Sequence, residues 1–299
     1  MHCYINYKRI KKPLKIPNLE VEIGFGRGDF IVKLAKENPK KNFLGIELSQ
    51  ISVDKLLRRV ERENLKNVYC TRIDAYWGFF LLFEDEQVQN IYMNYPDPWF
   101  KKRHHKRRLT TPERLYIFAK RLRTEGEIRI RSDNRDFIEF TVETAKLLKC
   151  FEIDEGILDV KEPLTKYEEK WLSMGRTLYR LILRKVSKPK EVPHPTIEEV
   201  EKLFPVKVKA KVLKSDIFEN KEFKLSDEVY FKTFKLWERD GSYLLESLLS
   251  ERGYYQKFFI QLKKKGDEFV IDVSPFSEVL RTRNLQKAIE KIAELVNSL

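Results

Sequence analysis

Two short stretches of this chain hold reactive residue types at spacings that a buried core does not require. In NYPDPWFKKRHHKRR, residues 94–108, Asp97 lies between Pro96 and Pro98 beside Trp99, and eight basic or histidine residues, Lys101 to Arg108, follow almost at once. In LEVEIGFGRGDF, residues 19–30, Gly24, Gly26 and Gly28 come directly after an apolar, β-rich run, with Glu22 just ahead of them. The first stretch offers a carboxylate on a loop stiffened by prolines, beside cations that can neutralise phosphates. The second offers a tight turn whose backbone amides can approach a ligand closely.

The charges around the glycine turn decide which ligand suits it. Glu47 ends the next strand, where a carboxylate can accept from both hydroxyls of a ribose. Asp74 ends the strand after that, in VYCTRIDA, where its side chain could accept from the exocyclic amine of adenine. A dinucleotide would present its pyrophosphate to this turn, and Glu22 would repel it. S-adenosylmethionine has no phosphate and carries cationic ammonium and sulfonium groups, so the sign of the charge favours it. Alone, a glycine-rich turn is also explained by sterics, and each carboxylate by solvated strand ends; the combination points to a cofactor site.

These residues need a scaffold of strands and helices, and the apolar pattern supplies one. Through residue 186, β-rich runs (LEVEIGF, NFLGIEL, VYCTRID, QNIYMNY, GEIRIRSD, FEIDEGI, TLYRLILRKV) alternate with helical patterns, as in ISVDKLLRRVEREN and RDFIEFTVETAKLL. That alternation predicts an α/β domain with a mostly parallel sheet. After the basic run, Thr111 can cap a helix that Pro112 and Glu113 open. The basic run therefore belongs to a loop at the carboxyl end of a strand, where open α/β sheets bind ligands. Pro189, Pro193 and Pro195 fall in charged surroundings and mark a stiff linker over residues 187–197. From 198 to 299 a small α+β domain is expected: VKVKAKVLK, EVYFKTFKLW, YYQKFFIQL and FVIDVSPF as strands, KKKGDE as a hairpin turn, and RNLQKAIEKIAELVNSL as an amphipathic terminal helix.

Composition limits the remaining choices. The 299 residues are 42% hydrophobic and 12% aromatic, enough for a real core, and the net charge of +13 favours a polyanionic partner. No run approaches the length of a membrane span, and the first twenty residues lack an apolar leader pattern, so a soluble, cytoplasmic protein is expected. Cys3, Cys70 and Cys150 are far apart and lack partners at metal-binding spacing, which suggests plain thiols and no metal site.

EIGFGRGDF, GIELS, NYPDPWFKKRHHKRR and TKYEEKW, in this order, resemble the bacterial tRNA (guanine-N7)-methyltransferase family across roughly residues 18–186. The PDPW segment with its basic run is the most distinctive part. The resemblance implies a Rossmann-like class I methyltransferase domain over residues 1–186 with a mostly parallel seven-stranded sheet. It implies methyl transfer from S-adenosylmethionine to N7 of guanine 46 in the tRNA variable loop. Asp97 matches the catalytic carboxylate, which also borders the cofactor, and Glu22, Gly24, Gly26, Gly28, Glu47 and Asp74 make up the remaining cofactor positions. Guanine N7 is an unprotonated acceptor, so no general base is needed; Asp97 is expected to accept hydrogen bonds from the guanine, offset the developing positive charge and hold N7 in line.

Lys101 matches a substrate contact, and Arg103, Lys106, Arg107 and Arg108 extend the basic surface, against the competing role of a solvated charged loop. Trp99 and Phe100 could stack on a splayed base, with a core anchor the other role for Trp99. Asp133 and the segment Thr165, Lys166, Tyr167, Glu168 match substrate-binding positions, Asp133 having helix capping as its alternative. The sequence departs from the family pattern at Trp171, where a glycine is usual, and in the module after Pro195. The Lys-rich alternation of that module suggests a second tRNA contact or a dimer contact; monomer and homodimer both remain open. Competing functions are a base methyltransferase acting on another RNA and a non-catalytic RNA-binding protein. A nicotinamide enzyme is disfavoured by Glu22.

Overall fold

The computed structural model describes residues 3–159, 166–210, 213 and 215–298. The chain divides into two compact units, Met1–His194 and Pro195–Leu299.

In the first unit, strands β1 (Leu19–Ile23), β2 (Asn42–Glu47), β3 (Val68–Arg72), β4 (Val88–Asn94), β5 (Leu122–Ser132), β6 (Phe151–Ile157) and β7 (Tyr179–Lys185) alternate with helices α1 (Asp29–Glu37), α2 (Gln50–Arg62), α3 (Ala75–Leu82), α4 (Pro112–Arg121), α5 (Arg135–Leu148) and α6 (Lys166–Ser173). The strands form one seven-stranded sheet in the order β3-β2-β1-β4-β5-β7-β6. β1, β2, β3, β4 and β5 pair in parallel, and β7 is antiparallel to both β5 and β6. The strand order reverses between β1 and β4, and a reversal of this kind opens a crevice at the carboxyl ends of the two strands. The residues singled out at the ends of β1 and β4 both lead into it.

All five residues of β1 are buried, as expected of a strand covered on both faces. Phe43, Val53 and Leu56 are among the side chains that fill the core between the sheet and its helices, each stabilising the fold by roughly 1.5–3 kcal/mol through burial. Ser49 caps α2 by accepting from the Ser52 N–H at 3.3 Å, and Asn134 caps α5 by accepting from Phe137 at 2.7 Å. Thr111 precedes α4 but its side chain does not cap it, and among the described residues its buried Oγ1 has no hydrogen-bond partner. Pro112 opens α4 without that help, its fixed φ and missing N–H suiting the first helical position. Residues of the proline-containing stretch fold back on this unit: the Lys190 N–H donates to the Leu148 carbonyl at 2.8 Å, and the His194 ring lies 5.0 Å from that of Tyr116.

The second unit is a six-stranded antiparallel sheet, β8 (Val206–Lys209), β9 (Glu222–Ser226), β10 (Val229–Arg239), β11 (Ser242–Glu251), β12 (Tyr254–Lys265) and β13 (Glu268–Val273), in the order β8-β13-β12-β11-β10-β9, with one helix, α7 (Arg283–Asn297). Alternate residues such as Phe231, Leu249, Phe258 and Ile260 share a core with Leu285, Ile289, Ile292 and Val296 of α7. Thr282 caps α7 by accepting from Leu285 at 3.1 Å. Among the described residues, no helix is long and apolar enough to cross a membrane.

Candidate active site

Glu22, next to the carboxyl end of β1, is 4% exposed. Asn94, the last residue of β4, donates its amide to Glu22 Oε1 at 3.0 Å, whereas Oε2 is buried with no hydrogen-bond partner among the described residues. Burial pushes this carboxyl from its ordinary 4.5 up to about 7, with the Asn94 bond opposing the shift. The glycine turn starts two residues later. The Gly24 N–H donates to the Ile46 carbonyl at 2.8 Å, and the Gly26 N–H to Glu47 Oε2 at 3.1 Å. Both glycines have positive φ, and a Cβ added at either would meet nothing within 4 Å, so open space fronts the turn. Gly28, expected among the cofactor residues, has a different job: a Cβ there would come within 2.6 Å of Leu56 Cδ1, so its glycine lets α2 approach the turn.

Glu47 Oε1 also accepts from the backbone N–H groups of Leu48 and Ser49, at 2.8 and 3.0 Å. With two bonds on Oε1 and one on Oε2, the carboxylate keeps one lone-pair site for a hydroxyl, fewer than the two ribose contacts expected. Asp74 is similarly occupied. It caps α3 by accepting from the Tyr76 N–H at 2.9 Å, and both of its oxygens are held by the Arg114 guanidinium at 3.1 Å.

The loop after β4 is held in a strained form. Tyr95 and Trp99, flanking the Pro-Asp-Pro segment, have φ of 54° and 49°, a region non-glycine residues seldom occupy and one that tends to persist at functional sites. Its anchors lie on neighbouring elements. The Tyr95 N–H donates to the Arg131 carbonyl at 2.8 Å; the Tyr95 hydroxyl and the Arg131 guanidinium both donate to Glu168 Oε1, at 3.1 and 2.7 Å. Arg108 donates from Nε to the Pro98 carbonyl at 2.8 Å while its guanidinium lies 4.7 Å from the centre of the Phe140 ring. Between these anchors Asp97 is exposed and, among the described residues, forms no hydrogen bond or ion pair.

Two expected substrate contacts are therefore corrected. Arg108 is 2% exposed and Glu168 is fully buried, so neither faces an RNA as the protein stands; both spend their charge on fixing the loop. The rest of the basic run behaves otherwise: Lys101, Arg103, Lys106 and Arg107 are exposed on or beside a 3-10 helix, Lys102–Arg107. Trp99 is half-buried, with the Arg107 guanidinium 5.0 Å from its ring centre and the His104 ring at 6.0 Å, whereas Phe100 is 74% exposed. Asp133 accepts from Arg176 at 2.6 Å, and since Asn134 caps α5, capping is not the role of Asp133. Thr165 and the side chains of Lys166 and Tyr167 lie outside the described residues. Arg176 also covers Trp171, 4.2 Å from its ring, and Trp171 Nε1 is buried without a hydrogen-bond partner among the described residues. Asn94, Tyr95, Arg114 and Arg131 were not anticipated; only their positions at strand and helix ends beside the two motifs hinted at them.

A sheet in this order with a lone antiparallel β7, and a glycine turn flanked by strand-end carboxylates, defines a class I S-adenosylmethionine-dependent methyltransferase. Residues 17–181 match the model of a family described as putative methyltransferase. A tRNA (guanine-N(7)-)-methyltransferase of Aquifex aeolicus is 69% identical over 297 residues, covering 99% of this chain and all of the relative. One from Thermotoga maritima is 31% identical over 278 residues, covering 92% of this chain and 88% of the relative. Among solved structures, the 16S rRNA methyltransferase KamB is 14% identical, with a TM-score of 0.47 over 60% of this chain and 97% of that one. The chain belongs to the tRNA (guanine-N7)-methyltransferase family.

Proposed function

We propose that this enzyme methylates N7 of guanine 46 in the variable loop of tRNA, with Asp97 as the residue that receives the guanine. The observation that carries the reading is a contrast at the carboxyl ends of two adjacent strands: after β4 an exposed Asp97 on a strained loop that, among the described residues, forms no hydrogen bond or ion pair, and on β1 a buried Glu22 with one oxygen unsatisfied. A buried polar atom without a partner costs free energy, and a cationic ammonium group is the partner that would relieve Glu22.

The cofactor-binding role falls on Glu22, the backbone of Gly24 and Gly26, and the remaining site on Glu47; Asp74, held by Arg114, would form the wall near the adenine. Bound there, S-adenosylmethionine supplies an electrophilic methyl group on a cationic sulfur. N7 of guanine carries a lone pair and no proton, so the chain needs no general base. Asp97 instead accepts hydrogen bonds from the base, orients N7 and offsets the positive charge that methylation places on the ring. Lys101, Arg103, Lys106 and Arg107 meet the surrounding phosphates. Asp133 would join the base site only if Arg176 released it.

The test is to incubate the protein with labelled S-adenosylmethionine and unmodified tRNA transcripts, digest to nucleosides and identify the labelled one. The expected result is 7-methylguanosine that vanishes when guanine 46 is replaced. Label in another nucleoside, or label that survives the replacement, would overturn the reading.

A further inference from the structure

The second unit covers one face of its sheet with α7 and leaves the other open. On the open face lie Tyr230, Trp237, Tyr255 and Phe259, exposed by 43%, 56%, 66% and 38%. Strand alternation puts them there together: Phe231, Phe258 and Ile260, their neighbours in sequence, are buried against the helix side. Register then fixes what stands between them. Tyr230 and Tyr255 both pair with Ser250, one from each side, and Lys232 and Lys257 both pair with Leu248 in the adjacent row. Trp237 pairs with Leu244, after a bulge between Thr233 and Leu236 that turns β10. Lys207, Lys209, Lys224, Lys232, Arg239, Lys257, Lys263 and Lys265 occupy this face with Glu222, Glu246, Glu268 and Asp272, a cationic excess even with Glu222 paired to Lys232 at 3.8 Å and Lys224 paired to Asp227 at 2.9 Å.

We infer that this open face is a binding surface for unpaired RNA nucleotides, with bases stacked on the aromatic rings and phosphates met by the lysines between them. The inference rests on the tRNA reading only for the identity of the natural RNA. Aromatic platforms about 10 Å apart across two strand spacings, separated by lysines, fit the alternation of base and phosphate along a single strand, and every base has a face that can stack. A second copy of the chain fits less well. The centre of a permanent homodimer interface is depleted of charge, and a two-fold contact would set the lysines of this face against one another.

The test uses the full-length enzyme and two probes, an oligouridylate and an unmodified tRNA transcript. Trp237→Ala and Tyr255→Ala should each weaken oligouridylate binding by about 5- to 100-fold, the effect of losing one stacked base. The paired change Lys257→Glu with Lys263→Glu should lower the salt slope of log K by about 1.4, two phosphates on a single strand. Affinity for S-adenosylmethionine, and turnover at saturating tRNA, should not move. Unchanged oligouridylate affinity and slope would overturn the inference. So would weakened binding that tracks a shift from dimer to monomer in sedimentation, since the face would then join two copies. If the wild-type enzyme binds the oligonucleotide through these residues yet makes no 7-methylguanosine, the functional reading fails and this one stands.

Discussion

Two glutamates on the same strand, two residues apart, are treated in opposite ways. Glu20, at the amino end of β1, is buried and fully served: Lys41 donates to it at 2.7 Å, Asn90 at 3.0 Å and the Tyr92 hydroxyl at 2.7 Å. Glu22, toward the carboxyl end, is just as buried, yet Asn94 is its one side-chain donor, the Ile31 backbone adds a weaker contact, and among the described residues Oε2 has no hydrogen-bond partner. Both carry the cost of removing a carboxyl from water; only at Glu20 does the protein itself offset it. The loop after β4 repeats the contrast, with Arg108 and Glu168 buried and hydrogen-bonded while Asp97 is exposed and unpaired among the described residues. Charges completed by the fold hold the site, and charges left incomplete are available to ligands.

The largest effect expected from breaking this contrast is at Asp97. Asp97→Asn should lower the methylation rate roughly 100- to 1,000-fold, the range for losing one preorganised electrostatic contact in a transition state. Because Asp97 forms no hydrogen bond or ion pair among the described residues, the melting temperature should stay at its wild-type value. Near-full activity with unaltered tRNA affinity would remove Asp97 from the chemistry. Arg108→Ala should lower activity by a different route. It should destabilise the protein and weaken turnover together, because Pro98 loses its anchor, whereas Arg107→Ala should leave stability alone and reduce the salt slope for tRNA by about 0.7–0.9.

The two glutamates give a sharper test of intermediate size. Glu22→Gln should weaken binding of S-adenosylmethionine about 10- to 100-fold, the value of a hydrogen bond to a charged group, with no loss of stability at pH 8. Glu20→Gln should do the reverse, costing about 1–3 kcal/mol of stability and leaving cofactor affinity as it was. Calorimetry on both variants decides the matter, and matching effects would show that the strand does not divide its carboxylates in this way.

Both motifs and the strands that carry them were legible in the sequence because each depends on residues close together in the chain: a glycine turn after a strand, a carboxylate between prolines, a basic run before a helix. The network around them was not, because Asn94 meets Glu22 only when β4 lies beside β1, and Arg131 meets Glu168 only once α6 folds over β5. For the same reason Arg108 reads as one more cation of its run until the Phe140 ring covers it. Gly28 reads as a third cofactor glycine until Leu56 is seen against it. In the second unit β11 escaped notice because its leucines come in doublets, Leu244–Leu245 and Leu248–Leu249, which hide the period of two; in the sheet, Leu245 and Leu249 enter the core while Leu244 and Leu248 lie on the open face.

The test that isolates Glu22 is its pH dependence. Folding raises this carboxyl from 4.5 to about 7. Between those values the folded protein holds a proton that the unfolded chain has released, so stability is greatest at the acid end of that window and falls as pH rises toward 7. Glu22→Gln removes this contribution, and the difference between the two unfolding profiles should follow a single titration ending near pH 7. Ligand binding should show the converse. A cationic group beside Oε2 favours the ionised carboxyl, so below pH 7 binding of S-adenosylmethionine releases a proton, and affinity should climb with pH until Glu22 is ionised and then level off. Calorimetry at pH 6 in buffers of different ionisation enthalpy would detect that proton, and its persistence in Glu22→Gln would assign it to another group and leave the unsatisfied oxygen without the role given to it here.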